Sequence, residues 1–301
     1  MRTGVNEKPL PPGNVPDEVA FSIGLVSDTH MPERRAELPS ALFSTLAGVD
    51  LVLHAGDVGE LWVLDRLGAI APVVAVHGND DTAEAQRELP YQQIIAVAGQ
   101  RILLCHSHEP DPAAERALRA DDAWEPKLSR WAALGRRAGS SVVVFGNTHV
   151  AMARHHEGVW LVNPGALASP SWVTRQRLQT VALLFVTRDG AAQVTHVDIT
   201  SPTERYIPSI NWQAGFRAAL EQVSESILAP DLTSFGRQLP SRMRGLSPAA
   251  RAAGRGVLLR LGQRCWNGEQ EVLRRKDLLE EFRTAPDVPP EVREQLIGIL
   301  P

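Results

Sequence analysis

Short apolar runs punctuate the first two-thirds of the chain: "FSIGLVSD" (21–28), "VDLVLHAGD" (49–57) and "PVVAVHGND" (72–80). Each is rich in Val, Leu and Ile and ends in Gly or Ser followed by Asp or Asn, which predicts buried strands closed by turns. Between them, "LPSALFSTLAG" (38–48) and "GELWVLDRLGAI" (59–70) repeat apolar residues at helical spacing, as in Leu61, Leu64 and Leu67 with Val63 beside them. The order is βαβαβ. Such units force parallel strands with right-handed crossovers and bring the carboxyl ends of the strands to one sheet edge.

The pattern then changes. "QQIIAVAGQRILLCHSH" (92–108) reads as two strands joined at "AGQ", and "SSVVVFGNTH" (140–149) as another. "HHEGVWLVNPGA" (155–166) and "TVALLFVTRDGAAQVTHVDI" (180–199) read as hairpins turning at Glu157-Gly158 and Asp189-Gly190. A second sheet is implied. The segment 109–140 is helical in composition, broken by Pro126, and joins two strands that end in histidine motifs, so it is a candidate lid. After about residue 200 the strand signal stops. "SPTERYIPSINW" (201–212) reads as a linker, and Trp212, Phe216, Leu220, Val223 and Ile227 make one apolar helical face, followed by helical stretches at 248–265, 270–283 and 290–300. The expected organisation is a flexible leader over 1–20, a two-sheet α/β domain over 21–200 and a helical extension over 201–301.

Composition narrows the class only modestly. At 301 residues, 44% hydrophobic and 22% charged, the chain has the make-up of an ordinary soluble protein, and its net charge of -4 gives no global attraction to nucleic acid or membrane. Cys105 and Cys265 form neither a CxxC pair nor a disulfide framework, which fits a reducing cytoplasm. The proline-bearing leader has no apolar run of signal-peptide length, and no run approaches the roughly 20 residues of a membrane span.

The polar tips carry the chemistry. Asp28 and His30 in "SDTH" would point the same way from an extended strand end, and alone they read more readily as a polar, capped strand end than as half of a metal site. The other tips are Asp57 in "HAGD", Asn79 in "HGNDD", His106 in "CHSH", and Asn147 and His149 in "GNTH". Each follows an apolar strand, and nitrogen and oxygen donors around a central carboxylate suit two hard or borderline divalent ions.

The ordered series D-x-H, G-D, G-N-x-D, H and G-x-x-H resembles the calcineurin-like metallophosphoesterases, in particular the small bacterial and archaeal phosphodiesterase branch that includes the retromer small subunit. The resemblance spans about residues 21–200 and implies a two-sheet αββα sandwich, here followed by a helical C-terminal extension. It further implies that Asp28, His30 and His149 hold one metal, that Asp57 bridges two, and that Asn79 and His106 hold the second. The implied reaction is in-line attack on phosphorus by a metal-bridging hydroxide. Manganese is the expected ion, with Zn, Fe or Ni as alternatives that the same donors accept.

Two departures from the family pattern stand out. Asn147 occupies the first histidine position of the usual G-H-x-H, which weakens the second metal site. Asp80 stands where many members keep a leaving-group histidine, and His108 is the nearest replacement acid in the sequence. Other residues take plainer readings. His54 and His77 read as buried strand residues, His155 and His156 as solvated, Trp124 and Trp131 as core rather than a nucleobase platform, and Asn163-Pro164-Gly165 as a turn beside the site. Seven arginines between Phe235 and Gly268, without an acidic residue among them, do not form one helical stripe and read as a basic face over the extension's own acidic surface.

The function expected is therefore a metal-dependent phosphodiesterase or phosphatase acting on a phosphoester that can be nucleotide-like, in the cytoplasm and without a membrane. Nucleic acid is a partner only if the arginine-rich tail binds it, and a homo-oligomer is compatible with the sequence. The competing reading is a metal-binding protein-interaction scaffold with little or no catalysis.

Overall fold

The computed structural model describes residues 18–202 and 205–301. In chain order it contains β1 (Val19–Val26), α1 (Ser40–Thr45), β2 (Leu51–His54), α2 (Trp62–Gly68), β3 (Val73–Ala75), α3 (Ala83–Glu88), β4 (Gln92–Val97), β5 (Gln100–Cys105), α4 (Pro112–Ala120), α5 (Trp124–Arg137), β6 (Val142–Phe145), β7 (Met152–His156) and β8 (Val159–Asn163). There follow β9 (Thr174–Gln176), β10 (Thr180–Thr187), β11 (Ala192–Asp198), β12 (Arg205–Tyr206), α6 (Phe216–Val223), β13 (Ser224–Ser226), α7 (Thr233–Arg244), α8 (Pro248–Trp266), α9 (Arg275–Thr284) and α10 (Pro290–Gly298). No helix among the described residues is long and apolar enough to cross a membrane.

Chain contacts divide into two compact units. The first takes in residues up to Pro32, Ala36–Ala168 and Leu178–Val223. One of its sheets has the order β12-β11-β10-β1-β2-β3, with β1, β2 and β3 parallel as the βαβαβ pattern requires; the other has the order β4-β5-β6-β8-β7. Ile23, Leu25 and Leu53 from one sheet meet Ile102, Leu104, Val142 and Val144 from the other to form the inner core. The outer faces bury equally apolar sets. Leu42, Leu46 and Leu67 cover Val52, Val181 and Phe185, while Trp124, Leu128 and Trp131 cover Leu103, Val143 and Phe145. Because strands buried on both faces alternate into two apolar layers, helices must close each side, and the result is an αββα sandwich.

Several expectations need correction. Strand β1 starts at Val19, inside the expected leader, whose residues 1–17 lie outside the described residues. The 109–140 insertion is not one lid. Helix α5 packs on the sheet through Trp124, Leu128, Trp131 and Ala132, and Pro126 falls in its first turn, where no intrahelical N–H bond is lost. Only α4 is free of core contacts, since none of its residues is buried. The break between the helices is Asp121–Ala123, not Pro126.

The apolar face from Trp212 to Ile227 is also divided. Trp212, Phe216, Leu220 and Val223 pack against Trp124 and its neighbours in the first unit, whereas Ile227 belongs to the core of the second. The compact helical unit therefore begins at Ser224, not 201, and recruits Glu33–Arg35 and Ser169–Arg177 from earlier in the chain. Its core is built from residues such as Leu232, Phe235, Leu258, Leu261 and Phe282. Arginines of the basic run face its own acids and carbonyls: Arg260 bonds Glu281 and Asp287, Arg264 bonds Glu281, Arg255 bonds Glu33, and Arg242 bonds Ile299 O. His155 is exposed and stacked on Trp160, but His156 is half-buried and bonded to Ser129 Oγ at 3.1 Å.

Candidate metal centre

The parallel strands deliver their tips to one end of the sandwich, and the loops beyond them bend sharply. Asp28, His30, Asp57, Asn147 and His149 all adopt positive φ, at 53°, 45°, 51°, 69° and 59°. Asp28 and His30 therefore converge through a left-handed loop and not through strand alternation. Non-glycine residues in that region cost about 1–3 kcal/mol each and persist only where the surroundings hold them. The surroundings here are specific. Asp28 N, His30 N and Met31 N donate to the carbonyls of Gly56, Asp57 and Val58, lacing the first loop to the second. Two glycines make the close approach possible: a Cβ on Gly78 would stand 2.1 Å from Asp57 Oδ1, and one on Gly146 would stand 2.1 Å from Ser27 Oγ and 2.9 Å from Asp28 Oδ2.

Asp28, His30, Asp57, His106 and His149 are all buried. Three donor sets emerge in which one atom per residue lies within 4.8 Å of the others: Asp28, His30 and His149; Asp28, Asp57 and His106; and His30, Asp57 and Asp80. Asp57 Oδ2 lies 3.2 Å from His106 Nε2 and 3.6 Å from His30 Nε2, and Asp28 Oδ1 lies 3.2 Å from His149 Nε2.

The tautomers test whether this set fits a cation. His106 Nδ1 is 2.8 Å from Ala55 O and His149 Nδ1 is 3.0 Å from Ala168 O; a carbonyl oxygen only accepts, so both Nδ1 atoms carry protons. In the neutral form of either ring, Nε2 then turns a lone pair toward a carboxylate oxygen. Two acceptors at this distance repel unless positive charge stands between them, so the donors fit divalent metal. The same demand appears in titration. Burial opposes charge on His106, but the Asp57 carboxylate, with Asp28 behind it, outweighs burial and pushes the imidazole up to about 10. For Asp28, burial works to raise the carboxyl, yet His149, His106 and Ser27 together hold it below its ordinary value.

The remaining expected residues fall differently. Asn79 Oδ1 and Asn147 Oδ1 both accept from one nitrogen, Arg119 Nη2, at 3.4 and 3.0 Å. Asn147 N also donates toward Asp28 at 3.2 Å. His108 is buried among His106, His77 and Tyr91, and burial, reinforced by His106 and His77, lowers it to about 4. It is neutral at pH 7 and so lacks the proton that a leaving-group acid must give. His54 is buried as expected, bonded to Thr29 Oγ1 at 3.1 Å, and burial lowers it to about 3.

Some residues not expected as ligands also shape the site. Asp80 enters a donor set with His30 and Asp57, and its N–H donates to Asp57 Oδ1 at 2.8 Å. Asp81 Oδ1 and Oδ2 accept from Gly59 N and Gly78 N at 2.6 and 2.7 Å, clamping two loops. Asn163 is fully buried and donates to Gly146 O and Thr148 Oγ1, both at 3.0 Å, bracing the loop that carries Asn147 and His149. The one available signal for Arg119 was its i,i+4 spacing from Glu115 on an amphipathic helix.

A four-layer sandwich with buried carboxylates and imidazoles at its strand ends defines a metal-dependent phosphoester hydrolase. The chain belongs to the calcineurin-like phosphoesterase superfamily, whose domain model matches residues 21–189. A probable metallophosphoesterase of Methanothermobacter thermautotrophicus is 33% identical over 168 residues, 56% of this chain and 86% of the relative. Another from Methanocaldococcus jannaschii is 34% identical over 148 residues, 49% of this chain and 69% of the relative. Among solved structures, Vacuolar Protein Sorting 29 from Cryptosporidium parvum aligns at 20% identity and a TM-score of 0.48, covering 63% of this chain and 96% of that one.

Proposed function

We propose that the protein is a cytoplasmic phosphodiesterase that works with two divalent ions, manganese foremost. The observation that carries this reading is the position of Asp57, whose carboxylate belongs to two of the three donor sets, one with His106 and one with His30. Asp28, His30 and His149 would hold one ion and His106 the other, with Asp57 shared; Asn79 and Asn147 would join the second ion once their amide oxygens turn from Arg119 Nη2. When bound, such ions supply Lewis-acid charge to the phosphoryl oxygens and lower the pKa of water.

The chain's own residues do the positioning. Ala55 O and Ala168 O fix the His106 and His149 tautomers so that both rings present Nε2 inward. The Asp80 N–H holds Asp57 Oδ1 and leaves Oδ2 facing the imidazoles. With His108 neutral and no imidazole at position 80, the donors favour esters with a fairly acidic leaving group, such as nucleotide-like diesters. Cys105 and Cys265 are buried and free, in keeping with a reducing compartment. The test is a hydrolysis panel of mono- and diesters, including cyclic nucleotides, with Mn, Zn, Ni and Mg in turn. Turnover of diesters above monoesters is expected. No turnover with any ion would instead support a binding scaffold.

A further inference from the structure

Helix α4 holds a cation against the metal donors without burying any residue of its own. It is stable locally: Asp111 accepts from Ala114 N at 2.9 Å as an N-cap, and Pro112 opens the helix. Glu115 is fixed from outside by Glu109 N, which donates to Oε2 at 2.8 Å, and its Oε1 accepts from Arg119 Nε at 2.6 Å. With Nε engaged in this way, Nη2 is directed onto Asn147 Oδ1 and Asn79 Oδ1. The Arg119 side chain is 55% exposed, and Nη1 has no hydrogen bond among the described residues.

This arrangement is unusual for a structural ion pair. Glu115 alone would satisfy an i,i+4 pair, yet the guanidinium is aimed at two neutral oxygens that do not balance its charge. An anionic phosphoryl oxygen accepts from such a group and also balances its charge, which the two amide oxygens do not, and the planar fork presents two nitrogens to it.

We propose that Arg119 is a substrate-binding residue: its guanidinium grips a non-bridging oxygen of the phosphoryl group that binds beside Asn79 and Asn147. This rests on the phosphoesterase reading and adds to it a cation supplied by the chain itself. Helix α4 is then the substrate-contacting part of the 109–140 insertion, with Glu115 as the residue that positions the guanidinium.

Inorganic phosphate, which carries the same non-bridging oxygens, is the probe. It is titrated calorimetrically into Mn-loaded, full-length wild type, Arg119→Ala, Arg119→Lys and Arg116→Ala, with metal content measured on each and KM and kcat on a chromogenic diester. Arg119→Ala should weaken phosphate by about 10- to 100-fold, as expected for one lost hydrogen bond to a charged group. KM should rise more than kcat falls. Arg119→Lys should recover part of the affinity through its charge, and Arg116→Ala, which removes an exposed charge from the same helix, should match wild type. Unchanged phosphate affinity in Arg119→Ala overturns the proposal. So does parallel loss of metal, since Arg119 would then act on the ligand set and not on the substrate. A wild type that hydrolyses no ester with any ion refutes the underlying function, whereas active wild type with Arg119-independent phosphate binding refutes this inference alone.

Discussion

Replacing Asn163 with alanine probes how the fold holds its donors in strained positions. The side chain is fully buried at the end of β8; its Nδ2 donates to Gly146 O and Thr148 Oγ1 at 3.0 Å, and its Oδ1 accepts from Gly165 N at 2.8 Å. Gly146 O would keep Thr148 N at 2.8 Å, so it is not orphaned. Gly165 N–H would lose its acceptor, at about 1–3 kcal/mol for a buried donor, and the two other bonds contribute about 1 kcal/mol each. The expected loss is about 3–5 kcal/mol. For a unit of this size, that lowers the melting temperature by about 6–20 °C.

The consequence for the site is sharper. Asn147 and His149 sit at φ 69° and 59° and depend on this bracing. Thermal denaturation with and without Mn, and metal analysis after dialysis, would read both effects. The Mn-induced rise in melting temperature should shrink in the variant, because weaker binding to the native state stabilises it less. A variant that melts within about 2 °C of wild type and retains the same metal would refute the argument.

Other perturbations follow from the same geometry. Asp57→Ala should abolish metal-dependent hydrolysis while the chain still folds; near wild-type turnover on a chromogenic diester would disprove the shared-carboxylate mechanism. Asn147→His should tighten retention of the second ion, because imidazole is a better ligand than an amide oxygen for first-row metals, and equal retention of two ions by wild type would count against this. His196 is buried against Asn163 O, and burial lowers it to about 4. With the folded pKa below the unfolded value of about 6.5, the unfolded chain takes up a proton first, so up to about 3 kcal/mol of stability is present above pH 6.5 and is lost as pH falls toward 4. Urea denaturation at pH 7 and pH 5 should show this loss in wild type and less of it in His196→Gln; identical pH slopes would contradict the assignment. A chain ending at residue 204 should aggregate, because it strips Trp212, Phe216 and Leu220 from the Trp124 cluster; a soluble protein with wild-type melting would overturn that packing.

The sandwich was legible because its signal is local. A strand buried on both faces must be a continuous apolar run, and "VDLVLHAGD" or "SSVVVFGNTH" cannot be much else when turn residues close them. Asn163 shows where legibility stops. In sequence it belongs to an ordinary Asn-Pro-Gly turn, and only the fold brings it against Gly146, 17 residues away. The lid expectation failed for a related reason: α4 and α5 both read as helices, and α5 is core because Trp124 and Trp131 meet the distant Phe216 and Phe145.

The sequence by itself determined the order of strands and helices, the family pattern, and the placement of Asp28, His30, Asp57, His106 and His149 at strand ends, since periodicity and chain direction suffice for that. Tertiary structure alone decided which donor atoms come within reach of one another. It placed Asp80 among them, left His108 neutral, and set Arg119 on two asparagines. Those outcomes depend on loop conformations with positive φ, on burial, and on charges far apart in the chain. None of these is a property of a short window: a pKa or a ligand set depends on distances across the fold, and spacing along the chain does not encode them.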